Sequence, residues 1–323
     1  MKKILMIATG GTIACKKSHN GLIPALKGDE ILSYVENLKN ICSIEVLELM
    51  DIDSSNICPK HYKLIINTIE ENYNLYDGFV ITHGTDTMAY TASFLHNACK
   101  NIKKPVVLTG SQLPINEEGT DAVKNLYGAF LTASSGKSGV FLVFNNTIHN
   151  GSAVKKIYTT DFIGFLSINE EPAGKIEDNN IIWNMDHVKY SNNMIFHKNI
   201  CENIFVLKII PSLKPDIINR LVDMGYKGIV IEGYGAGGVP CDNEKDFIPA
   251  IKYAMKNGVA VVCITQCLYN GVHLDKYPMG VLAEKSGAIS AKNMTLENTL
   301  AKLMIGLGKN MDNKALKKYM ENE

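Results

Sequence analysis

Two threonine-containing segments carry the residue types best able to do chemistry in this chain. Residues 9–14 (TGGTIA) and residues 82–91 (THGTDTMAYT) each follow a short apolar run and precede a stretch that can be helical. Both therefore place a threonine hydroxyl where a predicted strand ends and the chain turns. Ligands bind at that edge of open α/β sheets. Thr12 and Thr85, together with Asp86, indicate nucleophilic attack by a hydroxyl group.

Thr12 suits a nucleophile in its geometry but needs help in its chemistry. A threonine hydroxyl is a weak nucleophile at neutral pH and requires a base or a proton relay. The β-branch restricts χ1, so the hydroxyl is oriented at little entropic cost. Gly10 and Gly11 permit a close approach of substrate. Considered alone, however, a threonine here is more often the N-cap of a short turn.

Asp86 and His83 each have a structural and a functional interpretation. The Asp86 carboxylate suits a helix N-terminus, and it could equally bind a substrate ammonium group or orient a base. His83 has the residue type of a general base. An imidazole on the strand side of a turn is nevertheless more often a packed, hydrogen-bonded core residue.

Two further segments supply a candidate base and a candidate anion site. Lys156 ends the run 154–156 (VKK), and a lysine desolvated beside a carboxylate can act as a base or proton shuttle. A lysine pair is more often solvent-exposed. In residues 51–57 (DIDSSNI), small hydroxyls and backbone N–H groups could hold a carboxylate. The alternative for that segment is an ordinary Asx or Ser turn.

The alternation of apolar runs with amphipathic stretches predicts an α/β fold. Continuous Val and Ile runs flanked by helices are typical of a buried parallel sheet, with right-handed crossovers. The predicted strands are 3–8, 43–48, 78–82, 105–109, 139–144, 204–210, 227–232 and 258–264. The predicted helices are 28–38, 59–74, 86–100, 121–134, 214–224, 244–257, 295–307 and 312–321.

We expect a larger N-terminal parallel-sheet domain and a smaller C-terminal α/β domain. Between about 185 and 203, Asn, His and Lys replace the apolar pattern, and a fresh β-α-β series follows. The expected limits are 1–190 for the N-terminal catalytic domain, 191–203 for a linker and 204–323 for the C-terminal domain.

Composition and short motifs disfavour several classes of function. Lys plus Arg and Asp plus Glu both total 33 in 323 residues, so the net charge of zero argues against a general nucleic-acid or membrane-surface binder. The eight dispersed cysteines contain no C-x-x-C, and no nearby His or Cys pair joins Cys263 and Cys267 to complete a zinc site. They fit buried thiols in a reducing cytoplasm. The first apolar run is too short for a signal peptide or a membrane span. No G-x-G-x-x-G motif stands at the first turn, which disfavours a dinucleotide-binding fold, and no G-x-S-x-G motif occurs, which weakens a serine-hydrolase interpretation.

Taken together, the segments resemble the L-asparaginase family, in particular its cytoplasmic bacterial type I group. The resemblance covers nearly the whole chain, and the order and spacing of TGGTIA and HGTDT are its most specific part. It implies hydrolysis of L-asparagine to L-aspartate and ammonia, with no metal or organic cofactor. The other anchors are residues 53–55, 107–114 and 264–268 and the region around Lys156.

The resemblance also implies the catalytic roles. Thr12 would be the nucleophile that forms an acyl-enzyme. Thr85, Asp86 and Lys156 would form a second triad that relays protons and activates the hydroxyl or the water. Asp86 would in addition bind the α-amino group of the substrate.

The remaining site residues follow from the same resemblance. Ser54 and Ser55, with Asp53 beside them, match the turn that holds the α-carboxylate. Ser111 matches the position whose backbone receives the side-chain amide. Backbone N–H groups near Gly11 and Thr85 would stabilise the oxyanion.

The sequence departs from the family in the segment expected to cover the nucleophile. Many relatives carry a lid tyrosine that is hydrogen-bonded to the threonine nucleophile, and the matching position here is Leu22. The surrounding residues 16–28 lack a strong pattern, and we expect them to form a mobile lid. Tyr277 is the candidate substitute for the missing phenol, although a surface or interface aromatic is the simpler interpretation of it.

The family resemblance further implies a small-molecule substrate and a homo-oligomer, either a dimer or a tetramer, with no nucleic-acid or membrane partner. One competing function belongs to tRNA-dependent amidotransferases. Amidotransferase subunits that belong to the asparaginase family share its fold and triad, but they normally carry an extra N-terminal domain. In this chain the TGGTIA motif begins at residue 9. The other is a silent amino-acid-binding module, which could dispense with Thr12 and Lys156. Their presence favours an enzyme.

Overall fold

The structure is a computed structural model that describes residues 1–19, 21–186 and 192–321. Its internal contacts divide the chain into two compact units, Met1–Lys198 and Asn199–Glu323. Part of the expected boundary region, residues 187–191, lies outside the described residues. The domain limits predicted from the sequence therefore remain a proposal.

The strands of the first unit centre on one large sheet. They are β1 (Lys2–Gly10), β2 (Cys15–Ser18), β3 (Gly21–Pro24), β4 (Cys42–Ile52), β5 (Gly78–Thr82), β6 (Cys99–Lys100), β7 (Pro105–Thr109), β8 (Gly139–Phe144), β9 (Thr147–Asn150), β10 (Val154–Lys156), β11 (Phe165–Ser167), β12 (Gly174–Glu177), β13 (Asn180–Trp183) and β14 (Ile195–Phe196). Within the described residues, eight of them form a sheet in the order β13-β12-β9-β8-β7-β5-β1-β4.

The central strands of this sheet are parallel, and one end is antiparallel. β4, β1, β5, β7 and β8 pair in parallel, whereas β9, β12 and β13 add antiparallel beyond β8. Strands β1, β5 and β7 are almost wholly buried because helices cover them, which explains their near-continuous apolar sequences. The edge strand β4 is only partly buried, and its sequence alternates more. The parallel order also brings the carboxyl ends of β4, β1, β5 and β7 side by side along one edge.

The helices of the first unit are α1 (Gly28–Ser33), α2 (Leu38–Ile41), α3 (Pro59–Asn72), α4 (Thr85–Ala98) and α5 (Ala122–Ser134). Helix α3 begins at a proline, which suits this position. Proline has no backbone N–H, and at the first position of a helix that N–H would have no partner within the helix. α5 packs on β5, β7 and β8. Its Leu126 and Phe130 belong to the same buried cluster as Met6, Val80 and Val107.

The second unit is a smaller parallel sheet with helices on both faces. Its strands are β15 (Ile204–Lys208), β16 (Gly228–Gly233), β17 (Ala260–Thr265) and β18 (Ile289–Ser290), and its helices are α6 (Asp216–Asp223), α7 (Ile248–Lys256), α8 (Pro278–Lys285), α9 (Leu296–Gly308) and α10 (Asn313–Glu321). Along β16, Ile229 and Ile231 join one buried cluster and Val230 joins another. This period of two places apolar side chains on both faces of the sheet.

The expected fold class, a larger parallel-sheet domain followed by a smaller α/β domain, is confirmed. The continuous helix predicted over 28–38 is wrong. Asn37 adopts a left-handed backbone with φ 68°, which separates α1 from α2. The residues from 16 to 24, where no pattern was found, include the paired strands β2 and β3.

The antiparallel strands between 147 and 196 were not predicted because most have only two to four residues, too few to show a period. Helix α8 was likewise missed. Among the described residues, no helix has both the length and the apolar character needed to cross a membrane.

Candidate active site

Four loops that follow neighbouring parallel strands meet at the carboxyl edge of the large sheet. They carry Thr12 after β1, Ser54 after β4, Thr85 after β5 and Ser111 after β7. The strand order β7-β5-β1-β4 explains why residues so distant in sequence become neighbours. This edge is where open α/β sheets bind ligands.

Glycines allow these loops to touch through their backbones. A Cβ atom on residue 11 would overlap the backbone N of Gly84 and would lie 2.6 Å from its Cα. A Cβ atom on residue 84 would lie 2.6 Å from the Ser54 hydroxyl oxygen. The loops carrying Thr12, Thr85 and Ser54 are therefore in direct contact, and only residues without a side chain fit between them.

Thr12 opens the short 3₁₀ turn Thr12–Ala14 and is partly buried. The capping position of that turn is Gly11, which has no side chain. Thr12 is therefore not the N-cap of its turn, which was the alternative interpretation of this residue. The preceding threonine, Thr9, donates its hydroxyl to the carbonyl of Thr82 at 2.7 Å and so links the ends of β1 and β5.

Lys156 joins Thr85 and Asp86 in a compact cluster. Its Nζ donates to Thr85 Oγ1 at 2.8 Å and to Asp86 Oδ1 at 2.7 Å. The Lys156 side chain is 18% exposed, whereas that of Asp86 is 64% exposed. Lys156 is thus a largely buried lysine held at the start of α4. The solvent-exposed alternative for the lysine pair does not describe it.

Asp53 and Ser55 form a local turn around the buried Ser54. The Asp53 carboxylate accepts hydrogen bonds from the Ser55 backbone N–H at 2.8 Å and from its hydroxyl at 2.7 Å. These bonds, first from the backbone and then from the side chain, lower the pKa of Asp53. The contacts of Asp53 are those of an Asx turn that shapes the loop. Ser54 is 4% exposed, and its carbonyl accepts the Thr87 hydroxyl at 2.7 Å.

Ser111 is almost completely buried at the end of β7. Its hydroxyl donates to the Leu113 carbonyl, so the side chain is used within its own loop. A function for Ser111 toward a ligand must therefore come from its backbone.

His83 is a fully buried core residue, as the structural interpretation of it expected. Nδ1 lies 2.7 Å from the Gly84 carbonyl, which can only accept, so Nδ1 carries the proton. The Thr91 hydroxyl then donates to Nε2 at 2.9 Å. Burial lowers the pKa of His83 to about 4 against the opposing effect of the Gly84 bond. The imidazole is neutral with both nitrogens bonded, and it is not placed to act as a general base.

The structure gives the positions of Tyr277 and Leu22, and their roles stay a prediction. Tyr277 lies in the second unit immediately before α8, half-exposed, with the Lys276 ammonium 5.8 Å from the centre of its ring. Leu22 lies in β3 of the β2–β3 hairpin, which follows the Thr12 turn. Ala14 closes that hairpin, because its carbonyl accepts the N–H groups of Ala25 and Leu26 at 2.9 Å.

Sequence reasoning missed the residues that hold the loops in place. The Thr87 hydroxyl connects α4 to the Ser54 turn. Asp121 and Asn125 at the start of α5 hold the loop that carries Ser111. An aspartate and an asparagine four residues apart near a helix start was an available signal, since such residues lie on one face of the helix. Across the described residues, no group of three or more His, Cys, Asp and Glu side chains could hold a metal ion.

The two units define an α/β protein, and its large sheet carries a candidate site built from strand-end loops. Residues 3–189 match the domain family described as "Asparaginase, N-terminal", and residues 203–320 match the "Glutaminase/Asparaginase C-terminal domain". The chain belongs to the asparaginase family, as its motifs predicted.

Similar proteins include both asparaginases and glutamyl-tRNA(Gln) amidotransferase subunits. An L-asparaginase of Thermococcus kodakarensis is 36% identical over 99% of this chain and 97% of its own length. A glutamyl-tRNA(Gln) amidotransferase subunit of Pyrococcus abyssi is 34% identical over 99% of this chain and 75% of its own.

Solved structures agree in fold. That of the thermostable L-asparaginase from T. kodakarensis has a TM-score of 0.92 at 35% identity, covering 99% of this chain and 97% of that one. That of L-asparaginase I from Vibrio cholerae has a TM-score of 0.89 at 30% identity, covering 100% of this chain and 97% of that one.

The backbone contact at Gly11 predicts a large cost for Gly11→Ala. Residue 11 has φ 87° and ψ 174°, a region adopted almost only by glycine, and the new methyl group would overlap Gly84. We expect the free energy of unfolding in urea to fall by about 3 kcal/mol or more. Gly119→Ala is the matched control, because Gly119 also has a positive φ but has open space around its Cβ direction. It should cost only about 1–2 kcal/mol, and equal losses would contradict the contact.

Buried neutral histidines predict acid sensitivity. Burial lowers the pKa values of His83 and His149 to about 4 from the ordinary 6.5. The unfolded chain therefore binds more protons than the folded chain between those pH values. The free energy of unfolding is therefore highest above pH 6.5 and falls as the pH is lowered to about 4. The loss is roughly 3 kcal/mol for each histidine.

The test is urea unfolding of the wild type and of His83→Gln at several pH values from 7 to 4.5. The variant should lose stability less steeply with falling pH, because one of the two buried imidazoles is gone. His273→Gln serves as the control, since His273 is exposed, and it should keep the wild-type slope. A wild-type slope in His83→Gln would refute the assignment.

Proposed function

We propose that this protein hydrolyses L-asparagine to L-aspartate and ammonia, with Thr12 as the nucleophile and an acyl-enzyme as the intermediate. The observation that carries the proposal is the buried Lys156 bonded to both Thr85 and Asp86 beside the Thr12 loop. Membership of the asparaginase family supports the reaction. The roles of the individual residues are our proposal.

Covalent catalysis suits this reaction because an amide is a poor electrophile with a poor leaving group. In the first step the Thr12 oxygen attacks the side-chain amide carbon and its proton enters the relay. The C–N bond then breaks, and the nitrogen leaves as ammonia after taking a proton. In the second step a water molecule attacks the Thr12 ester, which releases L-aspartate and returns the proton to Thr12.

The Lys156 cluster supplies the proton relay. Because the Lys156 ammonium donates to Thr85 Oγ1, the hydroxyl proton of Thr85 is free to point toward substrate or water. The Asp86 carboxylate balances the charge of the ammonium at 2.7 Å. The cluster offers a hydroxyl and a carboxylate that can pass a proton on when the nucleophile is activated and return it to the leaving nitrogen.

The substrate is a zwitterion, and the site offers groups for both charges. Asp86 keeps an exposed carboxylate for the α-ammonium group. Ser54 and the N–H groups of its turn would hold the α-carboxylate, while the Asp53 bonds to Ser55 keep that turn in shape. Arg220, the single arginine in the sequence, lies in the second unit and bonds to Asp216 at 2.9 Å.

Backbone N–H groups near Gly11 and Thr85 are our candidates for stabilising the oxyanion. Thr85 begins α4, so its N–H has no partner within the helix and carries the positive end of the helix dipole. Removing one such donor typically costs about 3 kcal/mol of transition-state stabilisation.

We also propose a homo-oligomer in a reducing cytoplasm. All eight cysteines are free thiols, which suits that compartment. The oligomer is implied by the family resemblance.

A glutaminase component for tRNA-dependent amidation is the second candidate, favoured by the 34% identity to the amidotransferase protein of P. abyssi. The two functions differ in free substrate use. Rapid ammonia release from L-asparagine without tRNA supports the asparaginase, whereas release from L-glutamine that depends on a tRNA-bound acyl acceptor supports the amidotransferase component.

Removing the nucleophile or the relay should abolish turnover while leaving the fold intact. We expect Thr12→Val and Lys156→Met each to reduce ammonia release from L-asparagine by about 1,000-fold or more, as loss of a nucleophile or its activating group does. Circular dichroism and thermal unfolding should resemble the wild type. Steady-state ammonia release with both amides as substrates is the measurement.

Lys155→Met is the matched control for the relay. Lys155 is the neighbouring residue of β10, and successive side chains of a strand point to opposite faces. It should keep activity within about threefold of the wild type. Full activity of Thr12→Val or Lys156→Met would remove the role assigned to that residue.

Tyr277 is our candidate for the missing lid phenol. If its hydroxyl takes part in proton transfer, Tyr277→Phe should lower kcat by about 10-fold or more and leave the thermal midpoint unchanged. Tyr269→Phe controls for the loss of an exposed phenol in the same unit. Unchanged kinetics in Tyr277→Phe would return this residue to a surface or interface role.

A further inference from the structure

The loop that carries Ser111 is held by a buried polar network that the proposed mechanism does not use. The Asp121 carboxylate accepts the backbone N–H of Gln112 through both oxygens at 3.0 Å, and that of Leu113 at 3.1 Å. Asn125 Nδ2 donates to the Gly110 carbonyl at 2.9 Å and to Asp121 Oδ2 at 3.0 Å. Asp121 is 8% exposed and Asn125 is fully buried.

Asp121 occupies a capping position but does not cap its helix. It directly precedes α5, yet its side chain makes no capping hydrogen bond. The Thr120 hydroxyl instead accepts the N–H of Ala122 at 3.1 Å. The buried carboxylate is therefore directed to the Ser111 loop. Leaving a buried acceptor unpaired would be costly, so the loop backbone is held firmly in one orientation.

Peptide geometry converts these contacts into a fixed direction for Ser111. The N–H of Gln112 shares one planar peptide group with the carbonyl of Ser111, and the two point in opposite directions. By holding that N–H, Asp121 orients the Ser111 carbonyl. Asn125 holds the Gly110 carbonyl and in the same way orients the N–H of Ser111. Both polar groups of the Ser111 backbone are thus oriented by Asp121, which precedes α5, and Asn125, which lies in its first turn.

The same network reaches other parts of the site. A Cβ atom on residue 110 would overlap the His83 carbonyl, so the loop lies directly against the segment before Thr85. Asn125 Oδ1 accepts the N–H of Asn145 at 2.9 Å, just after β8. Gln112 Nε2 donates to the Asp161 carbonyl at 2.9 Å, five residues beyond Lys156. The Ser111 loop is therefore fixed relative to the relay.

We propose that Asp121 and Asn125 are positioning residues that orient the Ser111 carbonyl as the acceptor for the N–H groups of the leaving amide nitrogen. This inference rests on the proposed amide hydrolysis. A carbonyl acceptor at that position aligns the amide in the ground state and keeps its bond to the nitrogen as ammonia forms. Asp121 and Asn125 themselves act only through the loop backbone.

A comparison of leaving groups separates positioning from general stability. L-Asparagine and the β-methyl ester of L-aspartate form the same acyl-enzyme, but the ester leaves as methanol and has no N–H to donate. In Asp121→Asn an NH₂ group replaces one carboxylate oxygen. This NH₂ group is a donor that faces another donor, either the N–H of Gln112 or the side-chain amide of Asn125, so one hydrogen bond is lost. We expect kcat/KM for the amide to fall about 10-fold or more, and that for the ester to fall less than about threefold.

Two further variants keep the test decisive. Asn125→Ala releases the Gly110 carbonyl and should shift the amide-to-ester ratio in the same direction. Thr132→Val removes a buried hydroxyl of α5 that donates to the Gly128 carbonyl at 2.8 Å, and it should leave the ratio unchanged. Because each ratio is measured within one protein preparation, a smaller folded fraction does not affect it. Inhibition by L-aspartate, which has no amide N–H, should also keep its wild-type constant in Asp121→Asn.

The outcomes distinguish this inference from the function on which it rests. Equal losses for amide and ester in both variants, or a loss of aspartate inhibition parallel to the loss of amide turnover, would overturn the positioning role. A folded wild-type protein that releases no ammonia from L-asparagine would overturn the proposed function instead.

Discussion

The direct backbone contact between the strand-end loops is the constraint on which the rest of the site depends. Gly11 lies against Gly84, and Gly84 lies against Ser54, at distances that leave no room for a Cβ atom. Parallel strands are about 4.8 Å apart, so loops with ordinary side chains at these positions would be pushed away from each other. The glycines bring the three loops that carry Thr12, Thr85 and Ser54 into contact. The Thr9 and Thr87 hydroxyls hold these loops in place.

Burial affects the ionisable groups near these loops in two different ways. His83 is enclosed, bonded on both nitrogens and kept neutral, so it supports the loop and takes no part in proton transfer. Lys156 is also mostly enclosed, but it keeps a carboxylate partner that is itself exposed. A buried cation needs such a partner, and the exposed side of Asp86 leaves that partner open to a second cation. In the proposed mechanism the same carboxylate therefore serves both the relay and the substrate.

The sequence was sufficient to predict the fold class and the residues at the sheet edge, because parallel strands have long apolar runs and end at recognisable turns. Thr12, Ser54, Thr85 and Ser111 were placed correctly after strands for that reason. The burial of Lys156 could not be predicted from the sequence. Strand β10 has only three residues, too few to show a period, and its pairing with β11 is seen only in the structure. The Asp121 network was missed for a different reason. Its partners are backbone N–H and carbonyl groups, and the sequence does not show their directions.

In the proposed function, recognition of the amide and carboxylate ends of the amino acid depends on oriented backbone groups more than on charged side chains. The single arginine of the chain is paired with Asp216 in the second unit. The proposed site therefore does not use the long, flexible side chain of an arginine, which could adjust to small shifts of a loop. A hydrogen bond from a backbone group weakens steeply when its angle departs from linearity. A site of this kind therefore requires loops whose peptide planes are fixed. The buried Asp121 and Asn125 contacts meet that requirement at the loop where we propose that the amide nitrogen is held. The large buried sheet serves the same end, because it gives all four loops a common rigid base.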